Sequence, residues 1–328
     1  MTPGDDLING TAGDDSLEGL AGDDTINGLG GNDTLDGGDD VDTLNGGAGD
    51  DRLILGDAAT AFGDGVNVAG VDGGTGVDTL VIPFNRNQIT QSFGDVDPLT
   101  TFTLGDPFNN DIRPIGIERL EFDDQTVELV LGSSGNDVLT ASLGISAILV
   151  SGLGDDTLTG SNAADSIQAN TTAVGDGNKT INGLGGNDAL SAGDGNDSIL
   201  GGDGNDTLIG DDGADTLNGM ADADFIFGNE GADFLFGGDG ADALFGENGS
   251  DNLNGGAGAD ILNGGGGLDR VSYSNSAAAV IVNLLANSAS GGDAAGDTFT
   301  SIEDLQGSGF SDRLTGDAAA NGLFGGSG

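Results

Sequence analysis

Gly201-Gly202-Asp203-Gly204-Asn205-Asp206-Thr207-Leu208-Ile209 is nine residues long, and the next nine, beginning at Gly210, again place an Asp sixth (Asp215) and a Leu eighth (Leu217). Self-similarity of this kind decides a fold before any local propensity does. From Val174 to Ser272 eleven units run without a gap. Their sixth places are Lys179, Asp188, Asp197, Asp206, Asp215, Asp224, Asp233, Asp242, Asp251, Asp260 and Asp269, and every eighth place is Ile, Leu or Val. The same register opens the chain, with Asp6, Asp15, Asp24, Asp33, Asp42 and Asp51 two residues before Ile8, Leu17, Ile26, Leu35, Leu44 and Leu53. Residues 55–72 lose the Asp but keep Phe62 and Val71, which predicts a coil that continues there without its acidic loops; Asp78 and Leu80 then resume. Asp137, Asp156 and Asp165 lead into the long array with slips at 141–150 and 169–173, and Asp312 with Leu314 starts a third array that stops in mid-unit at Gly328, as a truncated chain would.

Units of this form resemble the Gly-Gly-X-Gly-X-Asp-X-apolar-X repeat of RTX, or haemolysin-type, calcium-binding proteins. The resemblance implies an all-β, right-handed parallel β-roll, a two-sheet solenoid in which two nonapeptides, eighteen residues, complete each turn. Glycines at places one, two and four suit a tight turn with positive φ. Places seven to nine then form a short strand whose alternation turns the eighth residue inward. Calcium ions, several in number, are the implied cofactor, one between each pair of stacked loops and held by oxygen ligands. The implied ligands are the sixth-place carboxylates named above, Asp78, Asp137, Asp156, Asp165 and Asp312 included. One apolar side chain for every nine ordered backbones is little to fold on, and crowded carboxylates repel, so folding is expected to wait for the ion.

Composition points the same way. The 328 residues carry 56 acidic and 7 basic side chains, a formal net charge of -49, which makes nucleic acid an improbable partner. With no His and no Cys, the Ser-His and Cys-His dyads, thiolate sites and disulfides are all excluded. No run approaches the ~20 apolar residues of a membrane helix, and the N-terminus lacks a charged-then-apolar leader. The chain therefore reads as a non-enzyme, secreted and associated with a cell surface, in the manner of a surface-layer, adhesin or fibre protein able to assemble with its own copies. The alternative is a secretion and folding module of an RTX exoenzyme or toxin whose active domain lies outside this sequence.

Two stretches break the pattern. Residues 82–131 hold four of the five prolines and read as a non-repeat β insert between rolls 1–81 and 132–272, with a strand at Ile117–Phe122 and a second at Thr126–Leu129. Residues 273–306 read as another insert, before the third array at 307–328. Lys179 stands in an Asp place within Gly175-Asp176-Gly177-Asn178-Lys179-Thr180, but the glycine positions of a phosphate-binding loop hold Ala173 and Asn178, so nucleotide binding is set aside. An ammonium cannot ligate Ca²⁺, and the expectation is a weak or absent site between units 174–182 and 192–200. Phe225, Phe227, Phe234, Phe236 and Phe245 occupy seventh and ninth places and should face outward, with Phe227 stacked on Phe245.

Overall fold

The computed structural model describes residues 4–54, 71–75, 78–82, 90–92, 103–105, 111–112, 114–115, 119–122, 126–131, 135–169 and 177–328. It divides into two compact units, Met1–Leu131 and Gly132–Gly328. The described residues are all-β apart from one short 3-10 turn, Gly292–Ala294, and their long parallel sheets form a solenoid. No helix among them is long and apolar enough to cross a membrane.

In the second unit alternate repeats fall into alternate sheets. Thr207–Gly213, Phe225–Gly231, Ala243–Gly249 and Ile261–Gly267 stack in one, while Ser198–Asp203, Thr216–Ala221, Phe234–Asp239 and Asn252–Ala257 stack in the other. The register advances by two repeats at each step, as in Leu208↔Ile226↔Leu244↔Leu262. Every eighth-place residue of this array from Ile181 to Val271 is buried, which makes the core a single file of Leu, Ile and Val between the sheets. The strands are longer than places seven to nine. Phe234–Asp239 runs through the bend at Gly238 (φ +113) because the neighbouring turn bends identically at Gly256, so pairing survives the corner. At place four the stacking is closer still: a Cβ on Gly231 (φ +141) would run into the Gly213 carbonyl one turn away. In that conformation only glycine fits; Asp222, at the same place in its own unit, takes φ +74 instead.

The irregular stretches are insertions in the same coil. Ile181 pairs Leu158 twenty-three residues away, five more than the regular step, and Ala147 takes the place of a sixth-place Asp, with Leu149 paired to Ile167. In the first unit Leu53 pairs Leu80, and Asp51 N–H reaches Asp78 across 27 residues, so one nonapeptide length is passed over. Val71 rejoins the sheet beside Leu44; Phe62 lies outside the described residues.

Both spans assigned above to inserts return strands to the roll. Pro114–Ile115 pairs Val71, and Arg119–Phe122 continues the other sheet beside Thr79–Ile82 before Thr126–Leu131 turns back antiparallel to it. A separate antiparallel sheet, Thr90–Ser92, Thr103–Gly105 and Asp111–Ile112, belongs to this span as well. Of 273–306, only the part before Asp297 leaves the coil. Thr298–Thr300 pairs Ile261–Gly267, and Asp304–Gln306 pairs Arg270–Ser272. Arg313–Thr315, expected to open a third array, pairs instead with Ile281–Asn283 in a three-stranded sheet, while Gly322–Phe324 stacks on Asp304–Gln306. Parallel pairing needs only a matching backbone and an apolar residue in phase, which these segments supply without the glycines that mark the repeat.

Candidate metal centre

The regular loops lead into their strands through the sixth-place Asp, and the N–H of the following residue is tied to the Asp carbonyl of the preceding turn, as in Phe234 N to Asp215 O at 2.8 Å. This fixes the carboxylate in one orientation. One oxygen, Oδ1, accepts the backbone N–H of the Asp one turn earlier: Asp188 from Asp165, Asp206 from Asp188, Asp224 from Asp206, Asp242 from Asp224 and Asp260 from Asp242, at 2.8–3.0 Å. On the opposite side Asp215, Asp233, Asp251 and Asp269 form an equal ladder at 2.8–2.9 Å.

The second oxygen has no such partner. In Asp24, Asp33, Asp51, Asp188, Asp206, Asp215, Asp224, Asp233, Asp242, Asp251, Asp260 and Asp269 the Oδ2 atom is buried and accepts no hydrogen bond. An unpaired buried carboxylate oxygen is costly, and native structures rarely repeat one a dozen times without a reason. The surroundings supply that reason. The first-place glycine five residues earlier leaves room that a Cβ would fill, and into the same spot points the carbonyl of the first-place glycine one turn on: Gly228 is flanked by Asp233 Oδ2 and the Gly246 carbonyl, Gly246 by Asp251 Oδ2 and the Gly264 carbonyl. Carboxylate and carbonyl oxygens without nitrogen or sulfur are the donor set of a hard divalent cation. Among the described residues no three acidic side chains converge, because each loop contributes one carboxylate and backbone carbonyls do the rest. The sixth-place Asp residues would hold calcium with these carbonyls, and the ion would supply the charge that the buried oxygens lack.

Burial, reinforced by neighbouring Asp residues, pushes the Asp188, Asp215, Asp224 and Asp260 carboxyls up to about 7 in the metal-free chain; Asp206, Asp251 and Asp269 rise to about 6. A carboxyl whose folded value is raised favours the folded state fully below its unfolded value of 3.8, and that contribution is lost as pH rises through the folded value. In chelator, the β-sheet circular dichroism should therefore grow as the pH is lowered from about 8 to about 4. At saturating calcium the order reverses, since protons compete with the ion for the same oxygens. A metal-free signal that fell on acidification would contradict these positions.

Lys179 supplies a natural cation for comparison. Its side chain is fully buried, and Nζ donates to the Gly154 carbonyl at 2.8 Å and the Gly177 carbonyl at 3.4 Å, with Asp156 Oδ2 at 3.6 Å. The oxygens of two stacked loops thus converge on a positive charge. The ammonium faces unit 151–159, not unit 192–200 as expected, because a sixth-place side chain reaches back one turn; on the other side Lys179 N–H meets Asp197 Oδ1 at 2.6 Å, as any repeat would.

The predicted ligands are not all equivalent. Asp6, Asp15, Asp137 and Asp312, near the ends of their arrays, are only half-buried. Asp15 Oδ2 accepts Thr11 N–H at 2.5 Å, Asp165 Oδ2 accepts Ser161 N–H at 2.5 Å, and Asp312 Oδ2 accepts Ser308 N–H at 2.7 Å. Two acidic residues in the ladder were not among the sequence candidates. Asp297 Oδ1 accepts from Asp260 N–H, and Glu303 Oε2 from Asp269 N–H, both at 3.0 Å. Asp297-Thr298-Phe299 keeps the Asp-X-apolar phase and Glu303-Asp304-Leu305 keeps it with a longer acid, a signal hidden by the missing glycines. Asp297 Oδ2 is taken by the buried Tyr273 hydroxyl at 2.6 Å.

Fold and site together define a two-sheet parallel solenoid whose loops are built for hard cations. The family model of the RTX calcium-binding nonapeptide repeat matches residues 2–35, 36–59, 148–171, 174–208, 209–244, 236–271 and 297–328, more than half of the sequence. The chain belongs to that family, and multiple calcium ions are its cofactor. No curated protein sequence matches it significantly. Among solved structures the extracellular lipase LipA from Serratia marcescens aligns at 15% identity over 74% of this chain and 31% of the lipase, with a TM-score of 0.19, so this chain spans about a third of the lipase's length.

Proposed function

We propose that the chain is an extracellular, non-enzymatic structural element of the surface-layer, adhesin or fibre kind, secreted unfolded and folded by the calcium it meets outside the cell. The row of buried, unpaired Asp Oδ2 atoms carries this reading. It makes folding dependent on an ion scarce in the cytosol and abundant outside, with half-saturation expected at roughly 10⁻⁴ to 10⁻³ M as for other extracellular calcium modules. The absence of His and Cys from the sequence supports a non-enzymatic role.

Assembly of copies is supported by the outer faces. Phe227 and Phe245 stack at 5.0 Å with planes 8° apart on one sheet, and Phe225 and Phe234 are 55% and 49% exposed. Aromatic area left wet on the outer face of a sheet is a mark of a contact surface. Replacing Phe227, Phe236 and Phe245 with Thr keeps strand propensity and should preserve calcium-induced folding while abolishing association, followed by light scattering at saturating calcium. A parent chain that stays monomeric at every calcium concentration would favour the folding module of an exoenzyme.

A further inference from the structure

Among the described residues, three loops share a geometry that the loops with an unpartnered Asp Oδ2 lack. In Gly10-Thr11-Ala12-Gly13-Asp14-Asp15, Gly160-Ser161-Asn162-Ala163-Ala164-Asp165 and Gly307-Ser308-Gly309-Phe310-Ser311-Asp312, the second place is a hydroxyl residue. In each, its backbone N–H donates to the Oδ2 of the sixth-place Asp. Its hydroxyl donates to the same carboxylate at 2.9, 3.2 and 2.7 Å, respectively. The hydroxyl also accepts the N–H two residues on, from Gly13, Ala163 and Phe310 at 3.3, 3.0 and 3.1 Å.

Loops with an unpartnered Oδ2 take another path at the second place, where the backbone has positive φ: Gly202 (+124) before Asp206, Asp211 (+72) before Asp215, Met220 (+82) before Asp224 and Asn229 (+73) before Asp233. The second-place N–H is then not offered to the carboxylate, although Met220, Asp211 and Asn229 are not glycines and pay for the left-handed conformation. The difference lies in the backbone path and in what the carboxylate accepts, not in whether an Asp is present.

We infer that the second-place residue decides which loops take calcium: a Ser or Thr there caps the sixth-place carboxylate from within its own loop, so that Asp15, Asp165 and Asp312 are structural caps and not calcium ligands. A carboxylate whose Oδ2 accepts the second-place N–H, and which also accepts the hydroxyl of that residue, on Oδ2 in Asp15 and on Oδ1 in Asp165 and Asp312, has little left for an ion, and donor hydrogens aimed at it repel a cation. Lys179 against Asp156 and the Tyr273 hydroxyl against Asp297 do the same work with other groups at either end of the uninterrupted array. The calcium-loaded stretch is thereby bounded by coils that need no ion. The inference rests on the calcium reading of the unpartnered loops.

Calcium-loaded crystals provide the direct test through anomalous difference maps. Ions are expected at the loops of Asp206, Asp215, Asp224 and Asp233 and none at Asp15, Asp165 or Asp312. Ions in both sets would overturn the inference, whereas ions in neither would overturn the calcium reading itself. In solution, Ser161→Gly and Thr11→Gly should each bind about one more ion than the parent by equilibrium dialysis, and Lys179→Asp likewise, while Ser161→Thr stays at the parental count. A Ser161→Gly chain that folds with calcium but gains no ion, or a Ser161→Thr chain that gains one, would count against the cap.

Discussion

Removing calcium with a chelator is expected to abolish the β-sheet circular dichroism of this protein and expand it towards the roughly 65 Å radius of gyration of an unfolded chain of its length. The reason is local and repeated. A dozen buried Oδ2 atoms have no protein partner, and successive carboxylates on each side are tied into one ladder. Without the ion each must be protonated, which fails as pH rises above about 7, or be left as an uncompensated buried charge in a chain whose net charge is already -49, so the loss is expected to be complete at about pH 8. Because the ion binds only the folded loops, its binding energy is folding energy, and re-addition of calcium should restore the signal. A chelated chain that kept its spectrum and hydrodynamic radius would refute the account.

The second large effect is expected from one methyl group. Gly228→Ala places a Cβ against Asp233 Oδ2, with the Gly246 carbonyl 3.0 Å away, where the ion's oxygens converge. The variant should bind about one ion fewer and lose about 1.4 to 2.7 kcal/mol at calcium concentrations ten to a hundred times the dissociation constant. Calorimetry with a parallel calcium count separates this from ordinary crowding: strain alone would lower the melting temperature at an unchanged ion count. Gly13→Ala is the control. A Cβ there meets nothing within 4 Å, and Gly13 precedes a carboxylate already capped by Thr11.

Much of this was legible in the residues. The ninefold spacing of Asp and Leu announced the solenoid, the file of inward eighth-place side chains and the two-repeat register, because a repeat that buries one residue per unit has few other ways to stack. The outward Phe227 and Phe245 pair followed from the same parity. The inserts were less readable. Arg119–Phe122 and Thr298–Thr300 rejoin the sheets through backbone pairing, which leaves no compositional mark. Glu303 reaches the ladder with a side chain one methylene longer than the repeat prescribes.

By itself, then, the amino-acid sequence determined the periodicity, the inward and outward faces, the acidic loop chemistry and the family, all of which are properties of spacing along one chain. Only the tertiary structure decided which carboxylates lack a partner. Asp165 and Asp206 are the same residue at the same place in the repeat, yet one is satisfied by Ser161 within its loop and the other presents a bare oxygen to the neighbouring turn. The direction of Lys179, toward Asp156 and not toward unit 192–200, was likewise set by the sense in which sixth-place side chains reach between turns. Whether a buried oxygen needs an ion depends on what else lies within about 3 Å of it, in its own loop and in the turns stacked on it, and that is settled only in the folded coil.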